Sequence, residues 1–368
     1  MKLIILREHL NRALSIVEKS LGTNELMPIL KNVVIRTEQG KIHLITTNLE
    51  TAIIATLNGK IEEEGDVAVS GSGLLQVISN LKDEKIHVVT DNQKLLITTD
   101  TFQGELVTVS LTDFPLIPKV QSDSYIDVSV KALHRALDMV SLAISPHTIR
   151  QELNGVFFTF KNHDLVCVGS DGFRLSEKKI NIISSTIEEM QCIIPSRTIQ
   201  LLSRVMEYTS SETIRIAIEA HQCIFLVNEY TLISNCVDGN YPSYENFVPK
   251  DFDTEILINK VTLADAVRLC NVFSSRLNDI TIHILPKDNS ITIRSSNAIL
   301  GSGEITIQGQ VTGIEQSFRM NARYFQDGLK SIDDTNLKIS IVNAEKPIKI
   351  EPIVDKNGYA IIMPIKMN

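Results

Sequence analysis

Leu3-Ile4-Ile5-Leu6, followed by Leu10-x-x-Ala13-Leu14-x-x-Val17, opens the chain and returns twice. Near residue 130 the same pattern reads Ile126-Asp127-Val128-Ser129-Val130, then Leu133-x-x-Ala136-Leu137-x-x-Val140. Near residue 260 it reads Glu255-Ile256-Leu257-Ile258, then Leu263-x-x-Ala266-Val267-x-x-Cys270. Each copy predicts a short strand and then a helix, because apolar residues at i, i+3, i+4 and i+7 share one helical face. A second strand-to-helix element follows in every copy. Val67-Ala68-Val69 leads to Leu74-Leu75-x-Val77-Ile78-x-x-Leu81, and Cys192-Ile193-Ile194 leads to Ile199-x-Leu201-Leu202-x-x-Val205. In the third copy Ser317-Phe318-Arg319-Met320 leads to Tyr324-Phe325-x-x-Gly328-Leu329-x-x-Ile332.

β-branched, alternating stretches fill the spaces between these helices, and such alternation predicts half-buried strands. They run over Asn32–Arg36, Lys41–Thr46, Lys85–Val89 and Leu95–Thr99 in the first copy, and over Thr213–Ile218 and Ile224–Val227 in the second. In the third they are Thr281–Leu285, Ser290–Arg294, Leu337–Ile341 and Ile348–Ile350. The fold class is therefore α+β, built from three similar units, each an internally duplicated helix-plus-antiparallel-sheet module. Pro and charged residues interrupt the pattern at Pro118–Ser124 and Pro249–Thr254, which divides the chain into domains at residues 1–122, 123–251 and 252–368. Repeats of this size have cores of their own, unlike solenoid repeats, which stack to share one.

Composition limits the function classes. At 43% hydrophobic and 22% charged residues the chain reads as a globular protein. It has no apolar run long enough to span a bilayer. The start, Met1-Lys2-Leu3-Ile4-Ile5-Leu6-Arg7-Glu8, lacks the apolar core of a secretory signal, so a cytoplasmic location is expected. Five scattered cysteines without a CxxC pair predict free thiols rather than a disulfide framework or a zinc site. The net charge of −8 argues against ordinary nucleic-acid binding. A ring is exempt from that argument, because it can hold DNA by topology with basic residues inside and acidic ones outside.

Catalytic and cofactor signatures are missing. Ser70-Gly71-Ser72-Gly73 precedes a helix but lacks the Gly-Lys-Ser/Thr of a phosphate loop, so a strand-to-helix turn is expected there. No His pair has HExxH spacing. Ser170-Asp171-Gly172 has no base placeable beside it and reads as a turn. Neither a metal nor a cofactor is expected. The predicted helices carry basic residues off their apolar stripes: Arg12, Lys19, Lys131, Arg135, Arg197, Arg204, Lys260, Arg268, Arg323 and Lys330. Solvated charged faces explain these taken singly; equivalent positions in six similar helices suggest one common, partly basic surface.

Along its whole length the chain resembles the bacterial DNA polymerase III β subunit, the sliding-clamp family. The resemblance is carried by Met27-Pro28-Ile29-Leu30, Asp113-Phe114-Pro115, Arg150-Gln151-Glu152-Leu153-Asn154-Gly155 and Ser170-Asp171-Gly172-Phe173-Arg174-Leu175. It continues through Val237-Asp238-Gly239-Asn240-Tyr241-Pro242-Ser243-Tyr244, Val248-Pro249-Lys250 and Met363-Pro364-Ile365-Lys366-Met367. The sequence departs from the family at Ser170, where Thr is common, and at Phe173, where His is frequent. The resemblance implies a non-enzymatic ring of two chains joined head to tail, with helices lining a hole around double-stranded DNA. It implies four kinds of partner: a second copy of the chain, the DNA polymerase III catalytic subunit, the clamp loader, and other proteins carrying a clamp-binding motif. None is a membrane.

Those proteins would dock by short peptides. The resemblance assigns their pocket to Leu153, Ser170, Gly172, Arg174, Leu175, Pro242 and Phe247, together with Asn321, Tyr324, Ile361, Met363, Pro364 and Met367. Arg174 would hydrogen-bond a peptide carbonyl or carboxylate at the rim, and the C-terminal tail would form a mobile wall. DNA-facing residues would be Arg12, Lys19, Arg135, Arg150, Gln151, Arg197, Arg204 and Arg323. Leu106, Val272 and Phe273 would be the apolar residues of the dimer interface, with edge strands Gly104–Ser110 and Ser296–Ile307 pairing across it. Two alternatives stay open from sequence: a clamp paralogue with a regulatory or drug-resistance role, and an enzyme on a duplicated α+β scaffold.

Overall fold

The computed structural model describes residues 1–118, 123–145, 150–161, 163–219 and 221–366. Six α-helices form where the apolar periodicity places them: α1 (Arg7–Val17), α2 (Gly71–Asn80), α3 (Val130–Ser141), α4 (Ser196–Tyr208), α5 (Lys260–Asn271) and α6 (Ala322–Ser331). Leu10, Ala13, Leu14 and Val17 are buried on α1, as are Leu263, Ala266, Val267 and Cys270 on α5. Three helices start on the short polar side chains that helix N-termini favour. Ser70 accepts from Gly73 N–H, Asn259 from Thr262 N–H, and Asn321 from Arg323 and Tyr324 N–H. The Ser70–Gly73 stretch is thus an ordinary helix start.

By its contacts the chain separates into two compact units. The first comprises Met1–Lys131, Ile182–Ile187 and Arg197–Cys236. Its strands are antiparallel throughout. Lys85–Asp91 pairs with Lys2–Leu6 on one side and Lys94–Thr98 on the other, and Gln103–Val109 pairs with the latter. Asn32–Glu38 lies between Gly65–Ser70 and Lys41–Thr47. Thr51–Leu57 then joins Lys41–Thr47 to Tyr230–Asn235. A buried run of hydroxyls crosses this unit, with Thr51 Oγ1 2.9 Å from Thr198 Oγ1, itself 2.8 Å from Ser234 Oγ.

The second unit comprises Ala132–Asn181, Glu188–Ser196 and Val237–Asn368. Gly155–Lys161 pairs with Glu189–Pro195 and with Asp164–Ser170. Asp164–Ser170 pairs with Leu175–Asn181, and Arg174–Lys178 pairs with Gly358–Ile362. The ladder continues through Ile348–Pro352, Asn336–Ile341, Thr254–Asn259 and Gln310–Gly313. A separate four-stranded sheet runs in the order Gly301–Gln308, Ser290–Asn297, Asp279–Leu285, Gln316–Asn321. Its inner face meets α5 and α6 through Ile282, Ile284, Ile293, Phe318, Phe325 and Leu329, all buried.

The observed strands contain those expected from alternation, mostly lengthened by one to three residues, and Leu95–Thr99 falls at Lys94–Thr98. One expectation is corrected. Ser296–Ile307 is not a continuous edge strand but the tip and second arm of a hairpin. Asn297 Oδ1 accepts the N–H groups of Ile299 (2.9 Å) and Leu300 (3.4 Å), and Gly301 takes a φ of +101°. An Asx turn followed by a left-handed glycine reverses the chain, a conformation that β-branched residues resist.

Gly155 marks a tight backbone approach beside the region described next. It faces Pro195 in the ladder, and a Cβ there would lie 2.3 Å from the carbonyl oxygen of Ile194. Gly155→Ala should therefore lower the melting temperature, at an overpacking cost of about 1–3 kcal/mol. Differential scanning calorimetry checks this; an unchanged melting curve would show that the strand can give way.

Candidate functional site

Strands Asp164–Ser170 and Arg174–Ser185 are joined by a turn that the side chain of Asp171 organises. Its Oδ1 accepts Phe173 N–H (2.9 Å) and Arg174 N–H (3.0 Å), and its Oδ2 accepts Arg174 Nε–H (3.0 Å). Ser170 Oγ donates to Arg174 O at 2.8 Å and accepts Gly172 N–H at 3.1 Å. Gly172 has a φ of +88°, a value that glycine adopts without strain. The Ser170-Asp171-Gly172 stretch is therefore a self-bonded turn.

Arg174 is already engaged. Besides Asp171 it donates through Nη1 to Asp327, and its guanidinium lies 4.4 Å from the centroid of the Tyr324 ring. A planar fork stacked on an aromatic face suits Arg and not Lys. Of the donors with which Arg174 was expected to bond a peptide at the rim, Nε and Nη1 are bonded within the protein.

The C-terminal segment comes alongside this turn. Strand Gly358–Ile362 pairs with Arg174–Lys178, so Ile361 faces Leu175. Met363 N–H then donates to Phe173 O at 2.9 Å, and Ile365 N–H to Arg319 O at 2.8 Å. As far as Ile365 the tail is thus tied by its backbone first to the 171–173 turn and then to strand Gln316–Asn321. Of the wall expected there, the stretch as far as Ile365 carries these two backbone hydrogen bonds.

These segments enclose a groove of about 140 Å³. Of the residues expected there, Leu153, Ser170, Gly172, Arg174, Leu175, Pro242, Phe247, Ile361 and Met363 line it. Tyr324 lies in a smaller adjoining cavity that shares Arg174, Leu175 and Ile361. Asn321 serves as the cap of α6 and donates through Nδ2 to Leu277 O at 3.1 Å. Pro364 is half-buried between the two tail anchors. Met367 lies outside the described residues.

Phe173, Tyr241, Tyr244, Val248 and Pro347 also line the groove and were not expected from sequence. The paired aromatics in Tyr241-Pro242-Ser243-Tyr244 were a signal available for two of them. Burial, and then the nearby Asp171 charge, pushes the Tyr241 phenol well above its ordinary pKa. Arg150, expected to face DNA, lines the groove as well, 3.9 Å from Glu152. The lining is mainly apolar, with its charge concentrated on arginines, so it suits a ligand that brings apolar anchors.

The remaining basic candidates are exposed and lie off the buried stripes. Arg12 pairs with Glu8 at 3.0 Å and Lys19 with Glu18 at 2.8 Å. Arg135 on α3, Gln151 after it, Arg197 and Arg204 on α4, and Arg323 on α6 all face solvent. Among the interface candidates, Val272 is 60% exposed, while Leu106 is half-buried and its neighbour Val107 is 75% exposed. Phe273 is half-buried against Gly303, where a Cβ would lie 2.6 Å from its ring. Among the described residues no cluster of His, Cys, Asp or Glu could hold a metal ion, and no helix is long and apolar enough to cross a membrane.

Comparison with known proteins covers nearly the whole chain. Residues 1–118 match the N-terminal domain of the DNA polymerase III beta subunit, 127–243 its central domain and 245–366 its C-terminal domain. The beta sliding clamp of Synechococcus elongatus is 25% identical, and that of Staphylococcus epidermidis 23%, over 100% of this chain and 99–100% of theirs. The solved structure of the DNA polymerase sliding clamp from Bacillus subtilis shares the fold with a TM-score of 0.95 at 21% identity. The DNA polymerase III beta subunit of Thermotoga maritima does so with 0.93 at 23%; each match covers both chains completely. With all three domain families matched in order, and the groove assembled from the central and C-terminal matched regions, the chain belongs to the DNA polymerase III beta subunit family, the beta sliding clamps.

Proposed function

We propose that the chain is a replication processivity factor, not an enzyme, which closes around duplex DNA as a head-to-tail dimer. It would act in the cytoplasm and keep the DNA polymerase III catalytic subunit at its template, with a clamp loader opening and closing the ring. Its three clamp domains would span residues 1–122, 123–251 and 252–368, and the limits of the three family matches support that division. The observation that carries the reading is the groove in which Leu153, the Ser170–Leu175 turn, Pro242, Phe247, Ile361 and Met363 converge from distant parts of the sequence.

Polymerase and other partners would enter that groove by short linear peptides. Each apolar anchor contributes roughly 1.5–3 kcal/mol on burial. After the cost of ordering a peptide, two or three such anchors give exchangeable binding of roughly micromolar strength. The pocket would comprise Leu153, Ser170, Gly172, Arg174, Leu175, Pro242, Phe247, Ile361 and Met363, with Tyr324, Asn321, Pro364 and Met367 at its margins. Arg12, Lys19, Arg135, Arg150, Gln151, Arg197, Arg204 and Arg323 would face the DNA, which is read for shape and not for sequence. Leu106, Val272 and Phe273 would lie at the dimer contacts, where a heterologous interface used twice closes a ring.

Two experiments test this reading. The protein loaded on nicked circular DNA should survive a high-salt wash and leave once the circle is linearised; equal loss from both templates would contradict encirclement. Deleting residues 363–368 removes the tail wall while sparing the ladder that ends at Ile362. The truncated chain should remain folded yet lose at least about tenfold in affinity for a polymerase C-terminal peptide, the worth of about one buried anchor. Fluorescence anisotropy reads the affinity, and an unchanged value would exclude the tail from the site.

A further inference from the structure

One wall of the groove has little backbone support of its own. Val237 N–H donates to Ile193 O at 2.8 Å, and Asp253 N–H to Ile341 O at 2.9 Å. Residues 238–252 between those anchors contain a single short 3-10 turn, Tyr244–Phe247, closed by Val248 N–H to Glu245 O, and no strand. Yet this stretch supplies Tyr241, Pro242, Tyr244, Phe247 and Val248 to the lining.

Side chains hold it. Phe157, on strand Gly155–Lys161, stacks on Tyr241 with centroids 4.7 Å apart and planes within 4°. Tyr241 meets Tyr244 edge-on at 6.3 Å. Tyr244 is 7% exposed and packs with Val168, Leu175 and Ile361. The carboxylate of Glu177 stands close to its hydroxyl and accepts from Tyr359, which packs on the same cluster and donates to Glu177 Oε2 at 2.8 Å. Lys349 Nζ sits 4.8 Å from the centroid of the Tyr359 ring. Burial and then the Glu177 charge push both phenols up, so both remain donors at neutral pH. Glu177 lies two residues beyond Leu175 on the same strand, and alternation puts the two side chains on one face.

We infer that Glu177 is a positioning residue of the groove: through Tyr244 and Tyr359 it holds the 241–248 wall in its binding-competent place before a peptide arrives. The inference rests on the peptide-groove reading above. A wall that is competent only part of the time raises the apparent dissociation constant by the inverse of that fraction. One lost hydrogen bond corresponds to about a two- to tenfold weakening.

The test uses the full-length chain and a fluorescein-labelled synthetic peptide with the C-terminal residues of the catalytic subunit of DNA polymerase III. Tyr244→Phe and Glu177→Ala should each weaken binding about two- to tenfold. The double variant should be no weaker than the worse single one, because both changes break the same brace, and Glu177→Gln should recover part of the loss. The chain has no Trp, so Phe247→Trp adds a single reporter to the wall. Its anisotropy without peptide should fall when Glu177→Ala is added, while the melting temperature holds. If Glu177→Ala misfolds, Tyr359→Phe, which keeps its ring, takes its place in both measurements. Unchanged affinities, additive losses, or an unmoved reporter would overturn the inference. If the parent chain fails to bind the peptide, the groove reading falls, and the unliganded reporter still decides whether Glu177 holds the wall.

Discussion

The groove depends on five antiparallel residue pairs, Arg174↔Ile362 to Lys178↔Gly358. They bring a strand from the middle of the chain against one from its end. Side chains alternate along a ladder, so register alone decides that Ile361 stands beside Leu175; a slip by one residue would put the two on opposite faces. Gly358 sets the close end of this pairing. A Cβ there would lie 2.8 Å from Lys178 Cδ and 3.0 Å from Glu177 O. Beyond Ile362 the bond from Met363 to Phe173 extends the contact, and Ile365 passes the tail to Arg319. The tail wall thus follows from strand pairing, and its side chains decorate a position the backbone has already chosen.

Charge in the groove serves geometry more than stability. Arg174 is largely buried, and Asp171 and Asp327 neutralise it while Tyr324 covers its face. Desolvating such a pair costs about as much as the attraction returns. What the cluster does achieve is orientation. Asp171 fixes the turn through two backbone N–H groups and Arg174 through its side chain, so the lining residues at Gly172, Phe173 and Leu175 share one support. The carboxylate of Glu177 occupies an equivalent place under the opposite wall. Each wall therefore rests on a bonded acid below the apolar surface that a ligand would touch.

Much of this was legible in the sequence because periodicity reports burial. All six helices and many of the strands follow from spacing that one face of a helix or sheet must satisfy, but Thr51–Leu57, Gly155–Lys161, Asp164–Ser170, Arg174–Ser185, Tyr230–Asn235 and Gly358–Ile362 were not expected from it. The groove was legible only through resemblance, since Leu153, Leu175 and Ile361 have the pattern of ordinary core residues. Tyr241 escaped for the same reason: no spacing distinguishes an aromatic that stacks on Phe157 in a wall from one that fills a core; Phe173, 63% exposed in a turn, carries no periodic signal. Leu106 was named for the dimer interface through the resemblance alone; on its strand it is half-buried and its neighbour Val107 is the more exposed. The turn at Asn297–Gly301 was missed since its signal is one Asn and one Gly within an otherwise strand-like run.

The acidic balance of the chain bears on how it could hold DNA. At a net charge of −8 a patch of free cations strong enough for tight equilibrium binding is not expected. The helices agree: Arg12 lies against Glu8, Lys19 against Glu18 and Arg268 against Asp265, so local acids partly offset the basic side chains. Pairs as exposed as these are worth little in stability and exchange readily. A phosphate can displace the acid, but the gain is small and falls with salt. Strong phosphate contacts would anchor the protein at one place, whereas a tether that travels with a polymerase needs contacts that are weak and interchangeable. On the proposed reading, retention would come from closure of the ring, and the scattered, half-neutralised cations would let it slide.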